Sequence, residues 1–331
     1  MTTLFKVQGS NNKFFLLDQT QLSQPLATTE LQKLAQNICH PQTGLLHGAD
    51  GLLVIQDPSC PGPIGQMRIF NADGSQASMC GNGLRTVARY LGAKHHLKQF
   101  QVETLTANLQ VSQQPDWAPE VPAFSVEISP VSFNLQDLPC TNLGEQPIVN
   151  QPLPELDPQL KFTALAVPNP HLISFVTSTD LQGSGLEKLG HRLNQSNPYF
   201  PDGVNVSWAQ ILGPHKLFVR TFERGVGLTN ACGTGMSATC LAFLLSQSAT
   251  AAWDELITVY NPGGQVQVRV HQSSPQHYWM ELIGNASIMD RIELPESDLH
   301  RANDWTHAII HESSETAAYE KFVQEHQPKI N

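Results

Sequence analysis

The sequence predicts a mixed α/β (α+β) protein made of two pseudo-symmetric domains from an internal duplication. Each is expected to be a mostly antiparallel or mixed, β-barrel-like sheet around a central helix. Three observations carry this expectation. First, the runs Cys80-Gly81-Asn82-Gly83 and Cys232-Gly233-Thr234-Gly235 each set a thiol before a Gly-x-Gly, and each leads into a helical pattern. Second, the cysteine offset, 232 − 80 = 152, also pairs Asp50-Gly51 with Asp202-Gly203, Val54 with Val206, Arg68 with Arg220, Phe70 with Phe222 and Gly83 with Gly235. Third, with a drift of a few residues, Leu31-Gln32-Lys33-Leu34 parallels Leu186-Glu187-Lys188-Leu189, and Phe124-Ser125-Val126-Glu127-Ile128 parallels Tyr278-Trp279-Met280-Glu281-Leu282. Solenoid repeats have periods of about 20–50 residues, so this longer period indicates a duplicated domain. A chain of 331 residues accommodates two domains of about 150 each.

Taken in order, residues 14–17 form a short apolar strand closed by Asp18. Leu31, Leu34, Ala35 and Ile38 recur at helical spacing over 29–39. Residues 52–55 and 67–70 read as strands separated by a Pro/Gly-rich loop at 58–65. The polar turn Asn71-Ala72-Asp73-Gly74 precedes a helix from Cys80 to about 91, and strands follow at 102–106 and 124–128. The second half repeats the order: strand 172–176, helix 186–193, strands 204–211 and 216–222, helix 232–245, then strands 256–260, 266–270 and 278–283. The second long helix is apolar almost all round, as expected of one enclosed by strands. Residues 113–123 and 134–161, rich in Gln, Pro, Asn and Asp, read as a hairpin loop and an interdomain connection outside the core. The expected domains are 1–143 and 144–295, followed by a polar extension over 296–331 with a short helix near 313–326.

Net charge is −10 with no basic cluster, which excludes the concentrated Lys and Arg of a nucleic-acid surface. Residues 1–15 lack the apolar core of a secretory signal, and the longest apolar run, 240–245, is too short to span a bilayer. The six cysteines, at 39, 60, 80, 140, 232 and 240, form no CxxC pair and show no zinc-ligand spacing. A cytoplasmic protein with reduced thiols and no metal is expected. His95-His96 reads as surface, and Cys39, Cys60, Cys140 and Cys240 as small buried hydrophobes.

A thiol at a helix N-terminus meets the positive end of the helix dipole, which favours thiolate. Glycines there let backbone N–H groups approach a carboxylate. Two such thiols suit inversion of an amino-acid Cα. One removes the proton from one face, the other delivers a proton to the opposite face, and helix N-termini hold the carboxylate. No electron-sink cofactor signature is visible. A dithiol/disulfide redox-sensing or binding protein is the alternative of a different class.

Further segments narrow the reading. Arg68-Ile69-Phe70-Asn71-Ala72-Asp73-Gly74-Ser75 running to Cys80-Gly81-Asn82-Gly83 resembles the first signature of the diaminopimelate epimerase family. Glu223-Arg224-Gly225-Val226-Gly227 running to Ala231-Cys232-Gly233-Thr234-Gly235 resembles its second. Gly48-Ala49-Asp50-Gly51, Pro168-Asn169-Pro170-His171, Phe200-Pro201-Asp202-Gly203-Val204-Asn205 and Pro262-Gly263-Gly264 extend the similarity over about 5–294.

The resemblance implies a cofactor-independent interconversion of LL- and meso-diaminopimelate on the route to lysine and peptidoglycan precursors. It implies an active site in a cleft between two similar halves, with the chain end packing back on the first. Cys80 and Cys232 would be the acid/base thiols, assisted by His171 and Glu223. Asn71, Asn169, Asn205 and Arg224 would hold the distal end of the substrate, Gly81, Asn82, Gly233 and Thr234 the reacting carboxylate, and Asn12 a further contact.

The resemblance leaves the oligomeric state open, a homodimer included. Two departures stand out: Gly9-Ser10-Asn11-Asn12-Lys13-Phe14 replaces the usual Gly-x-Gly-Asn-Asp-Phe, and Leu228 stands where many members carry Glu. Lys13, in the first of these, and the long loops keep a second substrate class in view, a related two-cysteine racemase of another amino acid such as histidine or proline.

Overall fold

A computed structural model describes residues 1–246 and 252–328. Its strands are β1 Thr2–Gly9, β2 Asn12–Asp18, β3 Gly51–Gln56, β4 Gln66–Asn71, β5 Gln76–Ala77, β6 Gln99–Glu103, β7 Asn108–Ala118, β8 Val121–Ile128, β9 Gln151–Pro152, β10 Lys161–Val167, β11 Asn169–Phe175, β12 Asn205–Gly213, β13 Lys216–Glu223, β14 Gly227–Thr229, β15 Leu256–Asn261, β16 Gly264–Ser274, β17 His277–Asn285, β18 Ser287–Leu294 and β19 Ile309–Glu312. The α-helices are α1 Thr28–Ile38, α2 Gly81–His95, α3 Ser178–Gln182, α4 Gly185–Leu193, α5 Gly233–Ser246, α6 Glu296–Arg301 and α7 Glu315–His326. The chain forms two compact units. The first joins Met1–Val126 to Ile283–Glu325; the second is Glu127–Leu282 plus residues 326–328. The sequence had suggested a boundary after residue 143, whereas the chain leaves the first unit at Val126 and returns at Ile283.

In the first unit β18 pairs antiparallel with β1, and β1 with β2. The β2–β3 pair is parallel, a connection that needs a crossover, and α1 supplies it. The β3–β4 pair is antiparallel, β6 lies parallel to β4, and β7 and β8 continue antiparallel. Helix α2 packs against β1, β2, β3, β6 and β7, which explains why most of its residues from Gly81 to Gly92 are buried. A separate core under α1 gathers Leu4, Phe15, Leu17, Leu31, Leu34, Leu52, Val54, Phe70, Ile292 and Leu294.

The second unit repeats the plan. The β10–β11 pair is antiparallel, β11–β12 is parallel across α4, β12–β13 is antiparallel, β13–β15 is parallel, and β15–β16 is antiparallel. Helix α5 packs on β10, β11, β12, β13 and β16 and is buried along most of its length.

Strand registers correct part of the repeat. Leu52 lies opposite Phe70, and Val206 opposite Phe222. The counterpart of Val206 is therefore Leu52, not Val54, and the Asp50-Gly51/Asp202-Gly203 coincidence is out of register. Nine residues, 57–65, separate β3 from β4, whereas β12 and β13 form a tight hairpin, so one offset cannot hold across that connection. The 152-residue offset does hold from β4/β13 through β5/β14 to the helices.

Three further expectations are corrected. Residues 113–123 are not a loop: β7 runs to Ala118 and β8 begins at Val121. Their polar composition belongs to a half-exposed hairpin whose tip packs under α7, with Trp117 stacked on Phe322 at 5.4 Å. Residues 134–161 are not outside the core, because Leu138, Cys140, Leu143, Ile148, Leu153 and Leu156 enter an apolar cluster of the second unit. Cys39, Cys140 and Cys240 are buried, but Cys60 is only half-buried and its Sγ accepts from Asn108 Nδ2 at 3.4 Å. The polar extension carries α6, β19 and α7, and α7 buries Tyr319 and Phe322 against Val121.

Candidate active site

Both cysteines occupy the residue before a helix. Their carbonyls accept the first intrahelical bonds, from Leu84 N to Cys80 O and from Met236 N to Cys232 O, each at 2.9 Å. In each unit a two- or three-residue strand pairs with the preceding long strand and ends three residues before the cysteine, β5 at Ala77 and β14 at Thr229. The sheet thereby fixes the direction in which each helix starts. Registers also align the surrounding positions. Phe14, Gly51 and Asn71 share one row of the first sheet; the equivalent row of the second begins with His171 opposite Asn205. Because Val206 faces Phe222, Glu223 is the next rung beside Asn205. Asn71 and Glu223 are thus counterparts, as are Asn12 and Asn169 at the starts of β2 and β11.

In the first unit Cys80 is half-buried, with extended backbone (φ −148°, ψ 107°). Its sulfur accepts from the Gly83 N–H at 3.4 Å, and its thiol reaches Asn12 Oδ1 at 3.6 Å. Asn82 Nδ2 donates to the same Oδ1 at 3.4 Å. Asn82 is buried, and its own Oδ1 finds no partner among the described residues, leaving an acceptor suited to an ammonium or N–H group. Gly81 is buried beside it in the first turn of α2. Asn71 is exposed in a turn closed by Ser75, to whose Oγ its Nδ2 donates at 2.9 Å. The Cβ of any residue replacing Gly83 would lie 2.8 Å from Leu53 Cδ2, so a larger residue there would require the Leu53 side chain to shift.

The second unit is drier. Cys232 is buried, its Sγ lies 3.7 Å from Thr234 Oγ1, and it accepts from the Gly235 N–H and hydrogen-bonds Glu223. Thr229 Oγ1 donates to Glu223 Oε1 at 2.5 Å. Burial first, then the neighbouring Glu223 charge, pushes the Cys232 thiol well above its ordinary 9.0. The dipole and N–H bonds that favour thiolate are outweighed here, so this thiol rests protonated. Burial also raises the Glu223 carboxyl, with Thr229 and Cys232 opposing it.

His171 is wholly buried, and neither ring nitrogen finds a partner among the described residues. Burial, and secondarily the Arg224 charge, lowers it to about 3, so the ring is neutral near pH 7. Asn205 is buried, and its Oδ1 accepts the Arg224 N–H at 2.8 Å. Arg224 is exposed and its Nη1 reaches the Asp202 carbonyl at 3.0 Å. Asn169 is half-buried, Gly233 is buried, and Thr234 is half-buried at the start of α5. His95 and His96 are exposed.

Two contributors escaped the sequence reading. Thr229, which holds Glu223, carried no signal beyond its place in the quoted segment. Asp50, whose Oδ2 accepts from Asn12 Nδ2 at 2.6 Å and Lys13 N at 2.7 Å, stood out in the sequence only as part of the repeat and of a family-matching segment, with no role assigned to it.

Comparison with known proteins extends this picture. The family model described as diaminopimelate epimerase matches residues 4–123 and 163–289. Diaminopimelate epimerase of Lactiplantibacillus plantarum is 50% identical over 323 residues, covering 97% of both chains. That of Ligilactobacillus salivarius is 49% identical over 321 residues, covering 97% of this chain and 98% of its own. A phenazine biosynthesis protein of the PhzF family from Bacillus anthracis shares the fold, with a TM-score of 0.61 at 14% identity over 89% of this chain and 99% of its own. The molecule is an isomerase of the epimerase class. It belongs to the diaminopimelate epimerase family.

Proposed function

We propose that the protein interconverts LL- and meso-2,6-diaminopimelate, supplying lysine and peptidoglycan precursors, with Cys80 and Cys232 as acid/base thiols and no cofactor. In this reading the Cys80 thiolate takes the Cα proton, leaving a carbanion whose charge spreads into its carboxylate. Cys232, on the opposite face, delivers its proton to the carbon. The C–H bond broken on one side is replaced on the other, and the charge passes from one sulfur to the other. In the reverse direction the roles exchange. The observation that carries this is the unequal protonation setting of two matched helix-leading sulfurs: Cys232 is dry and held as thiol, while Cys80 is half-exposed with an N–H and a helix N-terminus to favour thiolate.

Backbone N–H groups at Gly81, Asn82, Gly233 and Thr234 would hold the reacting carboxylate. Asn71, Asn169, Asn205 and Arg224 would bind the distal amino-acid end, where amides serve both ammonium and carboxylate and Arg grips the latter. Asn12 would contact the substrate beside Cys80. Glu223 would tune the second thiol, and neutral His171 offers one donor and one acceptor nitrogen. A cytoplasmic location suits thiols that must stay reduced. Incubation of the reduced protein with LL-diaminopimelate in D2O tests the reading. Deuterium should enter at Cα as the meso isomer forms, and Cys80→Ala and Cys232→Ala should each lose nearly all turnover. Exchange into histidine or proline, with none into diaminopimelate, would assign a different substrate.

A further inference from the structure

We infer that Asp50 is a positioning residue: it fixes which end of the Asn12 amide faces Cys80, and through that amide it orients the thiol and sets its proton affinity. An ionised carboxylate only accepts hydrogen bonds, so the Asn12 group 2.6 Å from Asp50 Oδ2 must be the NH2. The amide oxygen is then turned the other way, toward Asn82 Nδ2 at 3.4 Å and Cys80 Sγ at 3.6 Å. Asp50 is itself anchored, because the same Oδ2 accepts the Lys13 N–H at 2.7 Å and the Asp50 N–H donates to Lys13 O at 2.8 Å. Carboxylate, amide and sulfur therefore form one relay at the starts of β2 and β3.

The consequence for Cys80 has a definite sign. An amide oxygen beside the sulfur accepts S–H and favours the protonated thiol, whereas the Gly83 N–H and the helix dipole favour thiolate. Asp50 thus supplies the counterweight that keeps Cys80 able to carry a proton as well as remove one, which a reversible epimerisation requires. Among the described residues the second unit has no such relay. In its register Val204, buried and apolar, stands where Asp50 stands, and Glu223 acts directly on Cys232. The two thiols are balanced by different devices.

This role in turnover rests on the acid/base reading of Cys80, but the thiol itself can be titrated without substrate. Alkylation of Cys80 by iodoacetamide, followed peptide by peptide across pH, reports its protonation whether or not diaminopimelate is the substrate. In Asp50→Ala the midpoint should move to lower pH, and turnover of LL-diaminopimelate should fall by roughly tenfold, the scale of one lost hydrogen bond. Both bonds to Asp50 use one oxygen, so Asp50→Asn can reproduce them and should recover most of the lost rate. In an Asn12→Ala background, Asp50→Ala should add no further loss, which a merely structural role would not predict. An unchanged Cys80 midpoint in Asp50→Ala, or losses that multiply in the double variant, would overturn the assignment. If Asp50→Ala does not fold, Asp50→Ser carries the same comparison, and its unchanged midpoint would overturn the assignment equally.

Discussion

His171 shows how a residue's environment redirects its chemistry. A histidine near a thiol suggests a base from sequence, yet full burial holds this ring neutral down to about pH 3. The folded value lies below the ordinary 6.5, so the unfolded chain binds the proton first. The stability this ring contributes is complete above 6.5 and is lost as pH falls from there through about 3. His171→Phe should remove a destabilisation on the order of a few kcal/mol over that window, read from urea unfolding at pH 7 and pH 4. A variant with the same acid sensitivity as the parent would refute the buried neutral ring. Cys232 was legible as a special thiol, but its protonated resting state was not. That state follows from burial and from Glu223, whose place beside the sulfur is set by strand register.

At the scale of elements, the two helix starts depend on glycines whose need for space is visible only in three dimensions. A Cβ at Gly235 would sit 3.0 Å from Thr221 Oγ1 and 3.1 Å from both Cys232 Sγ and Ser207 Oγ. Thr221 and Ser207 already hydrogen-bond each other across β12 and β13 at 2.9 Å, so neither side chain moves aside freely. Gly235→Ala should cost about 1–3 kcal/mol by overpacking, measured by chemical denaturation, and should displace the Cys232 sulfur enough to depress kcat. Full stability with full activity in that variant would show that α5 shifts to make room. The hairpin of β7 and β8 teaches the complementary lesson. Its Gln-rich strand has weak alternation, because only Leu109 and Val111 of β7 are deeply buried and the rest faces water or α7.

At the scale of the molecule, the chain closes its first unit only at the end. β1 runs beside β18 from Thr2 opposite Leu294 to Gln8 opposite Ser287, and Ile292, Leu294 and Leu299 share a core with Leu4 and Phe15. Arg89 on α2 forms a two-pronged ion pair with Glu315, at 2.5 and 2.7 Å, and Glu315 also accepts the Ile288 N–H at 2.8 Å. A chain ending at Leu282 should therefore leave residues 1–126 without a cooperative unfolding transition, whereas one ending at Pro328 should retain it. Circular dichroism melts of the two truncations decide this. A cooperative first unit in the shorter chain would mean that β18 and the terminal helices are dispensable.

Sequence by itself determined the duplication, the two helix-leading thiols, the family and most long strands, because each rests on local pattern: apolar periodicity, glycine spacing and matched motifs. It could not determine the true pairing of the halves, since a strand's partner depends on register and loop lengths differ between repeats. Nor could it show that the polar connection 134–161 feeds a core, or that Asp50 governs an amide 38 residues away. Those outcomes depend on contacts between residues distant in the chain, and on how much water each group loses, and both exist only once the sheets have closed around their helices.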